Sequence, residues 1–284
     1  MRALGLAGMV VCASASLAAQ GVMVAPHAVF IDHAQRSGSV LLYNPGTEPV
    51  EVTISTIFGY PTTDSTGGIK LDTLAADSSV SALPWIQAFP RRLTVGPRER
   101  QTIRLLARPP VELPTGEYWL RLVIAAQAGR VPITGVSDTT AIQVGLKLEV
   151  RTIIGVNYRK GPVTTGLSLS NLRAQLVGDS VITRAKLERR GNAAFIGMVR
   201  ETIMDSTGAV RAQRVGDSLV TSYQSPIGVY YTMEPRLATA LPAPGLPRGR
   251  YWLRYELVAE REDLDPKVVL KASAVRDSVQ LVVP

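Results

Sequence analysis

Cysteine and histidine are almost missing from this chain. Its 284 residues hold one cysteine, Cys12, and two histidines, His27 and His33. One thiol cannot close a disulfide within the chain or build a multi-cysteine metal cluster. Two imidazoles near the start leave little for histidine-based acid–base or nucleophilic chemistry. Aromatic residues make up only 6%. Beyond the first segment no run approaches the ~18 apolar residues that a membrane-spanning helix needs. No window carries a long apolar stripe of period 3.6 between helix caps, which excludes long amphipathic helices. Phosphate-loop and dinucleotide glycine motifs are missing too.

What is present is a globular composition: 46% apolar, 19% charged, 24 Gly and 19 Pro. The length suits two ordinary domains, each with its own core. Residues 1–19 read as a signal peptide. Arg2 precedes the apolar stretch from Ala3 to Val11, and small residues run through Ala18-Ala19. Cleavage after Ala19 would remove Cys12 with the signal and leave an exported chain without a thiol. The formal net charge is +8, carried by 25 Arg and 6 Lys against 23 acids. Arginine suits bidentate contacts to carboxylates. Outside the cytoplasm this bias gives a basic surface rather than a nucleic-acid site, and stable membrane insertion is not expected.

The apolar pattern is short and alternating. Val40-Leu41-Leu42-Tyr43 runs into the turn signal Asn44-Pro45-Gly46, and Val50-Glu51-Val52-Thr53-Ile54 alternates strictly. Residues 102–106 and 118–124 are further strand candidates, rich in β-branched and aromatic residues between Gly, Pro and Asn. The expected class is all-β, with two Ig-like β-sandwiches. A repeat supports the pair: Leu113-Pro114-Thr115-Gly116-Glu117-Tyr118-Trp119-Leu120-Arg121 recurs as Leu246-Pro247-Arg248-Gly249-Arg250-Tyr251-Trp252-Leu253-Arg254. The domains are expected at residues 20–158 and 159–284. Trp85, Trp119 and Trp252 are expected in the cores.

The segment before that boundary alternates longest. Ile142, Val144, Leu146, Leu148 and Val150 share one face, and Gln143, Gly145, Lys147, Glu149 and Arg151 the other. This is either an ordinary sandwich strand or an edge strand that lends its alternate side chains to a second protein. An edge of this kind can also be capped by a second copy of the chain.

The order of several motifs resembles the PapD-like periplasmic chaperones of pilus assembly. The matching residues are Pro26-His27-Ala28-Val29-Phe30, then Val40 through Pro49, then Phe89-Pro90-Arg91-Arg92-Leu93 through Leu105, then Leu113 through Tyr118. The likeness covers residues 22–160 well and the remainder more weakly. It implies two Ig-like domains in a boomerang and a periplasmic location. It implies pilin subunits with an incomplete Ig-like fold as partners, and an outer-membrane usher that receives them. The donor strand would be residues 142–158, with Ile142, Val144, Leu146, Leu148 and Val150 as donor side chains. In the family a basic pair holds the subunit's terminal carboxylate. Those two positions here hold His27 and Gly155, so Arg159 and Arg151 are the substitutes, with His27 as a third candidate.

Other chemistry is thin. Gly216-Asp217-Ser218-Leu219 spells an esterase signature, and Gly178-Asp179-Ser180-Val181 comes close. No histidine follows His33 to act as base. Asp-Ser also recurs at 64, 77, 205 and 277, which makes it a turn habit. The acidic run Glu260 to Asp265 is expected to be a solvated loop. No catalytic residue, cofactor or metal site is nominated. A strand-donating chaperone is the favoured function, and a secreted structural or adhesive Ig-like protein the alternative.

Overall fold

The computed structural model describes residues 21–74, 77–128, 148–178, 180–211, 213–215, 218–220, 223–240 and 246–284. The signal segment 1–19, with Cys12, and the donor residues Ile142, Val144 and Leu146 lie outside them. Among the described residues only one 3-10 turn, Ser78–Val80, interrupts an all-β chain, and no helix is long and apolar enough to cross a membrane.

The described residues of the first half form eleven strands. They are β1 (Met23–Ala25), β2 (Ala28–Asp32), β3 (Ser37–Tyr43), β4 (Val50–Ile57), β5 (Tyr60–Thr63), β6 (Ile69–Asp72), β7 (Ile86–Phe89), β8 (Arg92–Val95), β9 (Arg100–Ala107), β10 (Gly116–Ala128) and β11 (Glu149–Lys160). One sheet runs β1-β3-β9-β7 and the other β2-β11-β10-β4-β8. Alternation decides what lies between them. Val40 and Leu42 of β3 meet Val52 and Ile54 of β4, Ile103 and Leu105 of β9, and Leu120, Leu122 and Ile124 of β10 in one buried cluster. The predicted turn at Asn44 is held from inside. Its buried amide donates to the carbonyls of Glu48 and Val95, at 2.7 and 3.1 Å, and its Oδ1 accepts from Gly46 N.

The described residues of the second half form ten: β12 (Thr165–Val177), β13 (Ser180–Gly191), β14 (Phe195–Met204), β15 (Gln213–Val215), β16 (Ser218–Val220), β17 (Tyr223–Val229), β18 (Thr232–Met233), β19 (Arg236–Ala240), β20 (Gly249–Val258) and β21 (Val275–Val283). One sheet is β12-β13-β18, with β19 also on β13, and the other is β17-β14-β20-β21. The core between them falls into two clusters. Glu201 is buried among its neighbours and accepts hydrogen bonds from the hydroxyls of Thr183 and Thr239. Burial and the nearby Glu201 push the Tyr255 phenol up.

The repeated nonapeptide enters β10 and β20 in the same way. Tyr118 donates its hydroxyl to Pro114 O and Tyr251 donates to Pro247 O, each at 2.9 Å. Tyr118 and Leu120, like Tyr251 and Leu253, point into their cores. The tryptophan between them must therefore point out, because neighbours on a strand face opposite ways. This corrects the expectation of three core tryptophans. Trp85 packs on the first core. Trp119 is buried between the halves, whereas Trp252 is 44% exposed.

Each tyrosine hydroxyl ties a strand start to the preceding turn. Tyr118→Phe and Tyr251→Phe are each expected to lose about 1 kcal/mol of stability, measured by urea unfolding, with the same sign and similar size in the two copies.

Candidate functional site: an open edge beside a buried seam

The strand nominated from the sequence has two regimes. On one side β11 pairs with β10 over its whole length, from Gly116↔Lys160 to Gln127↔Glu149. On the other side β2 covers only Gly155 to Arg159, in parallel register with Ala28 to Asp32. Among the described residues no strand pairs with that outer side at residues 150–154. The local sequence explains the stop. The chain crosses from one sheet to the other at Pro26 and His27, and proline has no N–H to offer the ladder.

Side chains change at the same point. Ile154, Val156 and Tyr158 of β11 fill the first core. Val150 and Leu148 continue that face past the end of the core, 38% and 51% exposed. One rung shows the contrast. Val52, Ala126 and Val150 lie opposite one another on β4, β10 and β11. Val52 and Ala126 are buried, and Val150 is open. On the opposite face Ile153 is also exposed.

The three residues nominated as anchors sit in different settings. Arg151 is on the open stretch, 67% exposed, beside Glu149 at 2.5 Å. Arg159 is turned toward the second half. Its Nε donates to Glu117 Oε2 at 2.7 Å and its Nη1 to Val268 O at 2.5 Å, with the guanidinium 4.4 Å over the Phe30 ring. His27 meets Asp263 at 3.1 Å, and Arg261 binds the same carboxylate with two nitrogens. The Arg261 hydrogen bonds hold the Asp263 carboxyl well below the usual carboxylate range. The acidic run is thus docked on the first half rather than simply solvated, with Leu264 buried.

Glu117 organises the seam between the halves. Besides Arg159 it accepts from Trp119 Nε1 at 2.8 Å and from Ala194 N at 3.0 Å. Around it Trp119, Ala194 and Tyr230 form a buried cluster joined by Phe58, Tyr60 and Tyr231. The β5–β6 hairpin adds a second tie, with Arg236 N donating to Gly67 O at 2.7 Å and Arg184 Nη2 to Thr66 O at 2.7 Å. Tyr231 donates its hydroxyl to Asp77 at 2.6 Å, and burial together with that carboxylate pushes its phenol up. Asp64 and Asp205 both accept backbone N–H groups in tight turns, as the Asp-Ser-Thr-Gly spelling suggests. Groups of three or more potential metal ligands do not occur among the described residues.

One cation was not visible to sequence reasoning. Arg121 of β10 lies opposite Gly155, one of the two positions where the family resemblance places a basic residue. The guanidinium reaches over that glycine, so that a Cβ there would stand 2.6 Å from Nη1. Its signal in the sequence was only its place in the repeat, outward-facing and next to Trp119.

No protein-family model matches the chain, and no curated protein matches it. Solved structures similar to it include several chaperones. The YadV chaperone superposes with a TM-score of 0.44 at 12% identity, over 92% of this chain and 99% of that one. The SafB chaperone of Salmonella enterica, solved in complex with the SafA pilin, gives 0.42 at 13% identity over 92% and 97%. The Pseudomonas aeruginosa CupB2 chaperone gives 0.41 at 12% over 92% and 100%. The two-sandwich architecture itself rests on the strand pairing of this chain.

Removing the Glu117 carboxylate strands a largely buried guanidinium and two further donors. Glu117→Ala is expected to cost about 3 kcal/mol in urea unfolding, whereas Glu51→Ala on the exposed face of β4 should cost less than about 0.5 kcal/mol. Equal losses in the two variants would contradict the role given to the seam.

Proposed function

We propose that this chain is a periplasmic chaperone that captures incomplete Ig-like pilus subunits by lending them the open stretch of β11. It holds them soluble and passes them to an outer-membrane usher. The observation that supports the reading is the Val52–Ala126–Val150 rung, which is buried in two strands and open at the edge. A subunit strand laid against residues 150–154 would gain main-chain hydrogen bonds, and Leu148 and Val150 would enter its unfilled core. Full burial of side chains of this size contributes about 2 kcal/mol each. Ile142, Val144 and Leu146 extend the same alternating face in the sequence. An exposed ladder with apolar knobs is otherwise an aggregation hazard, so its retention favours a client.

Among the three anchor candidates, the settings favour Arg151 for the subunit's terminal carboxylate. Its partner Glu149 forms a surface pair that solvent weakens. Arg159 is engaged by Glu117, and His27 by Asp263, so both serve to hold the halves together. Nothing in this mechanism needs a cofactor or a chemical step.

The test is co-expression with a pilus subunit that lacks the last strand of its own sandwich. The native chain should yield a soluble complex. The double variant Leu148→Asp/Val150→Asp should recover at least about tenfold less complex with its melting temperature unchanged, because both positions are exposed. Leu41→Asp, on the outer face of β3, should capture subunit normally. Capture by the double variant at the native level would overturn the proposal.

A further inference from the structure

The repeated nonapeptide sets a tryptophan on the outer face of each sandwich, and only one of the two is covered. On β10 that face carries Glu117, Trp119 and Arg121, and the second half packs over it. On β20 the equivalent residues are Arg250, Trp252 and Arg254. Trp252 is 44% exposed, and both arginines are exposed. Where the first copy has the acid that organises the seam, the second has Arg250.

Cross-strand register shows what surrounds this tryptophan. Val210, Met204, Trp252 and Gln280 form one rung. The rung before it joins Arg250 to Val282, and the rung after it joins Thr202, Arg254 and Ser278. Residues directly opposite one another share a face. Val210 is 46% exposed and Val282 57%. No carboxylate stands on these three rungs. Among the described residues Arg250 and Arg254 make no ion pair or hydrogen bond, and the same holds for exposed Arg248 in the turn that enters β20. One rung further on, by contrast, Arg200 is paired with Glu260 and Arg276 with Glu256.

We propose that this face adsorbs to the surface of an anionic phospholipid bilayer. Trp252 and the two valines settle among the headgroups, and Arg248, Arg250 and Arg254 meet the lipid phosphates. Tryptophan joins an apolar ring to one N–H donor, the combination that favours a bilayer interface. Unpaired arginines bind phosphate and are drawn to a negative surface potential. The flat of a sheet offers many shallow contacts at once, which suits a lipid surface better than the desolvated pocket on which a protein partner's binding energy centres. A second copy of the chain would bring like charges together. Only side chains enter the interface, because β20 and β21 keep their ladder. The patch also lies away from the rim of β11. The loop that follows Val258 carries Asp263 and Val268 to the first half, and Trp252 is about 20 Å back along β20 from Val258.

Flotation of the purified chain with large unilamellar vesicles tests the proposal. Vesicles of equal parts phosphatidylglycerol and phosphatidylcholine should carry at least about tenfold more protein than vesicles of phosphatidylcholine alone, and added salt should release it. The whole chain is basic, so a charge-matched pair of variants separates the patch from general attraction. Arg250→Gln/Arg254→Gln should lose about tenfold in partitioning, and Arg92→Gln/Arg104→Gln, at two exposed positions of the first half, less than about twofold. Brominated lipid should quench part of the tryptophan emission of the native chain, and Trp252→Phe should remove that part, because Trp85 packs on the first core and Trp119 is buried in the seam. The quenching of the native chain needs no variant to fold. No excess on the anionic vesicles, equal losses in the two double variants, or no quenching by brominated lipid would each overturn the proposal. The first of these results would leave an acidic protein as the occupant of the face.

Discussion

β2 is five residues long and β11 is twelve, so the shorter strand covers less than half of its neighbour. The rest of the molecule is arranged around that mismatch. The proline that precedes β2 takes the chain into the other sheet, where β1 pairs with β3. From Gly155 to Arg159 β11 is therefore an interior strand, and its side chains serve the core on one face and the seam on the other. Before Gly155 it is a rim. The same alternation that fills the first sandwich continues along the rim, and no described strand pairs with its outer side. A foreign strand needs an open ladder and apolar side chains beyond the core, and both occur on one stretch of chain.

The seam explains how such a rim stays in place. Glu117, Trp119 and Arg121 lie on the outer face of β10, and Asn157 and Arg159 on the same face of β11. These residues meet Ala194, Tyr230 and Val268 of the second half. A buried carboxylate with three donors is worth little net energy against an apolar substitute, yet it is specific about geometry. It holds the interior end of β11 against the second half and leaves the rim end projecting. The docked loop that carries Asp263 and the β5–β6 hairpin add ties at other points along the seam.

Much of this fold could be read from period-2 alternation, because a half-buried strand prints its inside face on the sequence. The strands at 40–43, 50–54, 102–106 and 118–124 follow from that pattern, and Asn44 follows from turn chemistry. The repeated nonapeptide marked two equivalent strand entries, and the structure adds the same tyrosine hydroxyl bond at each. The same rule also sets the limit. Trp119 and Trp252 share a motif but face away from their cores, so each depends on what lies outside its own sandwich. For Trp119 that is the second half, and for Trp252 it is solvent. Arg159 could be named from the strand, but its partner Glu117 sits 42 residues earlier in the chain. Arg121 was silent for the same reason, since its placement over Gly155 is a matter of cross-strand register.

The account turns on the one-sided pairing of residues 150–154, and residue-resolved hydrogen exchange on the isolated chain reads it directly. Amides at 150–154 that point away from β10 should exchange within seconds to minutes, while those at 155–159 that donate to β2 should be protected with the global stability of the first sandwich. Uniform slow exchange across 150–159 would mean that the rim is already covered, and would contradict the central claim.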